Sequence, residues 1–269
     1  ISQDMRASYE TGNPANIVIQ TTAFDDDFLS TIERIPGIQY TEGRRIVDVL
    51  VQVGTDEWKS LQLVVIPDFD DQHINLLTPV KGATSPENRQ VLLEMNALDD
   101  IPAAVGDSLT IRLTDGTLLE IPFVGLVRDQ ITSAGDFYSP PMGYITFDTL
   151  DWLRQTKEYT ILYATVAQDQ SGGSGEPTRY DKDAIGRIAR LVENKLEDSD
   201  MQVISTKLHR SNEHPMANTV QAVLGILGAL GVLIVFLSSS LIANTLSALI
   251  SQHLQHIGIM KLTGARSFQ

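Results

Sequence analysis

Between Met216 and Met260 the chain has no Asp, Glu, Lys or Arg, and inside that stretch the run VLGILGALGVLIVFLSSSLIANTLSALI is apolar on every face. Roughly 20 such residues cross the ~30 Å hydrocarbon core of a bilayer, and this run is longer. As a helix at ~1.5 Å per residue, Val220 to Ile250 would reach about 46 Å, so it must tilt or continue past the membrane. The pattern predicts a transmembrane helix over 216–251. It cannot be a cleaved signal peptide, because some 215 polar residues precede it.

Charge divides at the same place. All 34 acidic residues and 18 of the 20 basic ones precede Met216, giving the first part a formal charge of −16 and the remainder +2. Such a field repels nucleic acid, which is excluded as a partner, and gives no attraction to an anionic membrane surface. Lys261 and Arg266 follow the apolar run, and a positive excess beside a membrane helix marks its cytoplasmic side. Residues 1–215 are therefore expected outside the cytoplasm. The chain has no cysteine, hence no disulfide or thiolate metal site, and the outer part must rest on its own apolar core. It opens at Ile1 with no initiator Met and no apolar leader, which sets the expectation of a longer protein whose earlier segment carries a signal or a first membrane helix.

Within the outer part, NIVIQ at 16–20 reads as a strand, and Phe24, Phe28, Leu29 and Ile32 then fall at helical spacing. Asp25, Asp26 and Asp27 would cap that helix, IPG at 35–37 would end it, and IQYTEG gives a second strand. The same order returns later, with strand TILYATVAQ at 160–168, a helix over Asp181–Leu196 and strand MQVISTK at 201–207. On that second helix Ile185, Ile188, Ala189, Val192 and Leu196 share a face. Two such units can pair into one sheet with both helices on one side, a split βαβ arrangement. This predicts an α+β fold in which 14–45 and 158–210 form one subdomain and 46–157 is a β-rich insertion.

In the insertion, RIVDVLVQVG, LQLVVIPDF and SLTIRLTDGTLLEIPFVGLV read as strands, with Asp115-Gly116 as a hairpin turn and Val105-Gly106-Asp107 turning the chain into it. A helix is expected around Pro86–Leu93, and PPMGYITFDTLDWLR brings a strand and then a short helix. SGGSGEPT at 171–178 reads as a surface connection.

Chemistry-bearing patterns are sparse. There is no phosphate-binding G-x-x-x-x-G-K-[ST] loop, no strand-borne G-x-G-x-x-G and no nucleophile elbow, so neither catalysis nor a cofactor is expected of this chain. Asp68, Asp70, Asp71 and His73 lack the Gly and distal Glu of a calcium loop and read as a solvated acidic turn. His253 and His256 would share a helix face without a further ligand, and read as membrane-surface residues. In the apolar run, Gly225, Gly228, Ala229 and Gly231 would let another membrane helix approach, while Ser238 to Ser240 and Asn244 add hydrogen-bonding groups that an isolated anchor does not need.

The tail ISQHLQHIGIMKLTGARSFQ, with the helix before it and the outer domain, resembles the FtsX-like permease family of ABC transporters, which includes MacB-type and lipoprotein-releasing permeases. The family pattern after the second membrane helix is E-R-x-x-E-I-G-I-x-[KR]-A-x-G-A. Ile257, Gly258, Ile259, Lys261, Gly264 and Ala265 match it, whereas Gln252, His253 and His256 stand in place of its Glu, Arg and Glu, and Leu262 and Thr263 also vary it. The resemblance implies a MacB-like periplasmic core over 1–215, with a porter-like subdomain and an inserted β-rich one, and a cytoplasmic coupling segment over 252–269. It also implies a first membrane helix before Ile1 and further helices after Gln269. Its implied partners are a cytoplasmic ABC ATPase subunit, a second permease protomer, the lipid bilayer, and an extracytoplasmic adaptor or substrate, in a bacterial inner membrane. Gly258 and Gly264 would permit a bend at the docking segment. Two other readings stay open from the residues alone: a single-pass sensor or adhesion protein, and an enzyme tethered at the surface.

Overall fold

Residues 10–129, 131, 140–167, 178–211 and 217–262 are described by the computed structural model. The chain divides into two units, Ile1–Pro215 and Met216–Gln269. The first is an α+β domain carrying ten strands among its described residues, and the second holds one long apolar helix.

The domain begins with β1 (Ile17–Phe24), α1 (Asp26–Ile32) and β2 (Ile38–Gln52). Asp25 caps α1, its carboxylate accepting from Phe28 N at 3.1 Å, so the acidic triplet is a helix start. The chain then turns at Ile35-Pro36-Gly37-Ile38, closed by Ile38 N to Ile35 O at 3.1 Å, with Gly37 at φ +96°. Pro before a positive-φ Gly is the chemistry of a type II turn. The matching second unit is β9 (Tyr159–Val166), α3 (Lys182–Glu197) and β10 (Val203–Leu208). Their strands interleave antiparallel in the order β10-β1-β9-β2. Both helices lie over one apolar layer, where Phe28 and Ile32 of α1 and Ile185, Ile188, Val192 and Leu196 of α3 meet Ile17, Ile19, Leu162 and Ala164 of the sheet.

The insertion is built from the second half of β2, β3 (Trp58–Val65), β4 (Thr78–Gly82), β5 (Val91–Glu94), β6 (Ser108–Arg112), β7 (Leu118–Arg128), β8 (Met142–Ile145) and the short α2 (Phe147–Trp152). The pairing runs β2-β3-β8-β5-β7, and β6 bonds both β7 and β2 at Leu50–Arg112 and Val51–Ile111. That last pairing closes the strands into a ring. Closure removes the exposed edges an open sheet would present. Inside lie Val49, Val51, Leu61, Leu63, Val65, Val91, Leu93, Ile111, Ile121 and Phe123. Val64, Ile66, Leu92 and Tyr144, of opposite parity, join Val127, which the irregularity of β7 between Phe123 and Gly125 brings to the same side, in a second apolar layer on the outside, which explains why LQLVVI is apolar without alternation.

Two expectations are corrected. The helix expected over Pro86–Leu93 is instead a turn followed by β5, all four of whose residues are buried between β7 and β8. Arg89 at φ +62° breaks any helical path, and a four-residue apolar run packed on both faces has no helical periodicity to keep. The strands IQYTEG and RIVDVLVQVG are one continuous 15-residue strand, so the border between the subdomains falls inside β2. Its residues Ile38 to Arg44 pair with β9 and Arg45 to Gln52 with β3. The Asp115-Gly116 hairpin forms as the residues indicate, with Gly116 at φ +85° and Asp115 accepting from Thr117 N at 2.8 Å.

Gly43 sits just before this border, and a Cβ there would lie 2.3–2.5 Å from ring carbons of Tyr159. The ring cannot withdraw, because it packs on Phe24 and Phe147 and its hydroxyl donates to Asp26 Oδ1 at 2.7 Å. Gly43→Ala should therefore destabilise the domain by about 2–4 kcal/mol, read as a lower midpoint in urea at unchanged slope.

Candidate functional site

The second unit is α4, a single helix over Ala217–Leu262 of 46 residues, about 69 Å long at ~1.5 Å per residue. Gln221–Leu254 is long and apolar enough to cross a membrane. Its side chains are apolar all round, with Val235 67% and Phe236 71% exposed, the surface expected of a helix whose solvent is lipid. Two of its hydroxyl groups turn inward on the helix backbone. Thr245 donates to Leu241 O at 2.8 Å and Ser251 to Ser247 O at 2.9 Å, which removes the cost of a bare hydroxyl in hydrocarbon.

Gly225, Gly228 and Gly231 have nothing within 4 Å of a Cβ position, and Ala229 shares their stretch, so close approach by another helix is sterically open. Ile257, Gly258, Ile259 and Lys261 continue the same helix. Gly258, where a bend is expected, lies inside the helix, which continues through it to Leu262. Gly264 and Ala265 lie outside the described residues, as do residues 171–177 of the SGGSGEPT connection. His253 is exposed. Among the described residues no group of three or more His, Asp or Glu is placed to hold a metal ion. In the acidic turn, Asp68 accepts from Asp70 N at 2.8 Å and from Asp71 N at 3.3 Å, which makes it a self-bonded turn.

Sequence reasoning missed three buried polar clusters that shape the outer domain. The first is at its exit. Asn16, 1% exposed, donates from Nδ2 to His209 O at 3.1 Å, Ser211 Oγ at 2.9 Å and Arg179 O at 3.4 Å, while its Oδ1 accepts from Val166 N at 2.9 Å. His209 N returns a bond to Asn16 O. One amide thus ties the start of β1 to the end of β9 and to the strand that leaves the domain. Burial, with Lys207 nearby, holds His209 below the ordinary imidazole range.

The second cluster joins three acids on the insertion. Glu94, Asp129 and Tyr144 are each buried, and the Tyr144 hydroxyl donates to Asp129 Oδ2 at 2.6 Å. Burial, then the charge of Asp129, raises the Glu94 carboxyl above the usual range, against backbone donation from Asn96 at 2.6 Å. Burial also pushes Tyr144 well above an ordinary phenol. The third cluster centres on Glu42 and Arg44, treated below. No spacing in the chain marks any of them, because each is completed by residues from a distant segment.

Two outcomes follow from these contacts. Asn16→Ala strands several buried groups at once and should cost about 2–4 kcal/mol, with faster amide exchange over 207–211 than elsewhere in the sheet. Because the folded carboxyl of Glu94 is raised, its favourable contribution is complete below the unfolded value and is lost as pH rises through the folded one. Thermal melts of Glu94→Gln should therefore exceed wild type by a few degrees near pH 7, with the gap closing by about pH 4.

No family model matches the chain, and no curated protein matches it in sequence. Among solved structures it is similar to the periplasmic region of MacB from Actinobacillus actinomycetemcomitans, at 15% identity and TM-score 0.45, covering 80% of this chain and 95% of that one. It is similar also to the extracellular domain of the noncanonic ABC-type transporter YknZ from Gram-positive bacteria, at 11% identity and TM-score 0.43, covering 70% and 100%. A third likeness is to a domain from Porphyromonas gingivalis assigned to a permease protein, at 13% identity and TM-score 0.39, covering 77% and 96%.

Proposed function

We propose that the chain is part of an ABC transporter permease subunit that couples ATP hydrolysis by a separate cytoplasmic ATPase to movement of an extracytoplasmic domain, in efflux, lipoprotein release or mechanotransmission. The observation that carries this reading is the unbroken course of α4. The span Gln221–Leu254 and the segment bearing Ile257, Gly258, Ile259 and Lys261 belong to one helix. A helix is stiff along its axis, so displacement of its polar end by a partner would be delivered to its other end. That suits transmission better than simple anchorage, for which a span of roughly 20 residues is enough.

On this reading residues 1–215 lie outside a bacterial inner membrane and 252–269 dock on the ATPase, the positive excess of Lys261 and Arg266 setting the orientation. Gly258 then serves as a point of close approach for the partner. Gly225, Gly228, Ala229 and Gly231 would seat another membrane helix, from a second protomer or from the same subunit. The outer domain meets an adaptor or substrate.

Purification of the full-length protein in mild detergent should recover an approximately stoichiometric ATPase, identified by mass spectrometry, and deletion of Gln252–Gln269 should abolish the association. Recovery of the protein alone at normal abundance in several detergents would favour a single-pass sensor or adhesion protein instead.

A further inference from the structure

The chain crosses between the two subdomains twice, and the crossings lie side by side. The first is inside β2, where Arg44 pairs with Ile161 of β9 and Arg45 with Val65 of β3. The second is the return from α2 to β9, held against the first by Arg45 Nη1 donating to Glu158 O at 3.3 Å. Two adjacent crossings, one a strand and one a turn-containing connection, define an axis about which one body could swing on the other. Phe147 packs against both cores.

A third tie starts close to the first crossing, at Glu42, and runs from there to residues 12–15. The connection from β3 to β4 belongs to the insertion, yet its residues 72–76 reach across to the helix-free face of the four-stranded sheet. Glu42 on β2 accepts from both His73 N and Ile74 N, the latter at 2.9 Å. Its other oxygen pairs with Arg44, whose side chain is 3% exposed and whose guanidinium lies 5.9 Å from the Tyr163 ring centroid. Asn75 N and Leu76 N donate to Asn13 O and Gly12 O at 3.1 and 2.9 Å, and Asn75 Oδ1 accepts from Ala15 N at 3.0 Å. The His73 ring stacks on Tyr40 at 4.7 Å, and Ile74, 0% exposed, fills the layer with Ala15 and Tyr163.

We infer that this strap is a latch: residues 72–76, clasped by the Glu42–Arg44 pair, hold the β-barrel subdomain fixed on the four-stranded one, and their release frees it to rotate about the paired crossings at Arg45 and Glu158. The bonds are of the kind that switch as a set. A carboxylate gripping two successive amides offers them a charge-assisted acceptor that water replaces once the segment lifts. Glu42 and Arg44 share β2, so their pair stays formed when the strap lifts and keeps the carboxylate in place to take the strap back. The latch concerns the outer domain alone and stands whichever partner works at the other end of α4.

The chain lacks cysteine, so Arg187→Cys on α3 and Glu120→Cys on β7 give two unique spin-label sites, one on each subdomain, for distance measurement by pulsed electron resonance on the full chain in detergent. With the latch intact the distribution should be narrow. In Glu42→Gln it should widen by roughly twofold, as an added domain-scale motion would make it. Asn75→Gly retains the positive φ of 52° and removes only the bond to Ala15 N, and should widen it by less. If Glu42→Gln fails to fold, Asn75→Gly combined with His73→Ala, which removes the stacked ring, decides alone. An unchanged width in the folded latch variants, with amide exchange over 72–76 accelerated, overturns the inference.

Discussion

One strand carries the architecture of the outer domain. β2 is long enough, at 15 residues, to pair with β9 over its first half and with β3 over its second, so one strand serves two sheets. Every other element is placed relative to it. The four-stranded sheet takes β2 as its edge, and the barrel closes only because β6 reaches the far end of β2. A strand cannot shift register by one residue without turning its apolar face outward, so a change in one sheet would be resisted by the core of the other.

The contacts around the border show how that economy is protected. Gly43 lets the Tyr159 ring lie flat against the backbone, and Tyr159 in turn reaches Asp26 at the start of α1. Burial and the Asp26 carboxylate both raise its phenol above the ordinary range, which keeps the hydroxyl a donor. On the opposite face of the same strand, Glu42 and Arg44 receive the strap from the insertion. Apolar packing secures one side of the border, while the other combines charge-assisted hydrogen bonds with the small apolar layer of Ile74, Ala15 and Tyr163. The hydrogen bonds can be exchanged for water, and the apolar area lost with Ile74 is that of one side chain, which is why the latch is placed there.

The apolar helix obeys a different physics. It has no core of its own, and its side chains are exposed along Gln221–Leu254, so its stability comes from backbone bonds completed within the segment and from lipid as solvent. Its length exceeds the span, and the excess carries Ile257 to Lys261 in the same rigid element. The outer domain, by contrast, is a packed body whose outgoing strand is sewn down by Asn16.

The sequence by itself determined whatever depends on neighbours in the chain. The apolar run and its charge boundary, the cap at Asp25, the turn at Pro36-Gly37, the hairpin at Asp115-Gly116 and the buried face Ile185-Ile188-Val192-Leu196 are each written in a few adjacent residues, because capping, turn dihedrals and helical periodicity are local effects. The tertiary structure alone decided that IQYTEG and RIVDVLVQVG are one strand, that VLLE is a buried strand and not the end of a helix, and that the barrel closes through β6. It decided too that Asn16, Glu42 and Glu94 matter. Asn16 bonds residues 150 to 195 positions away and Glu42 grips amides 31 and 32 positions away, and a polar side chain acquires its meaning from what is buried with it, which no local pattern records.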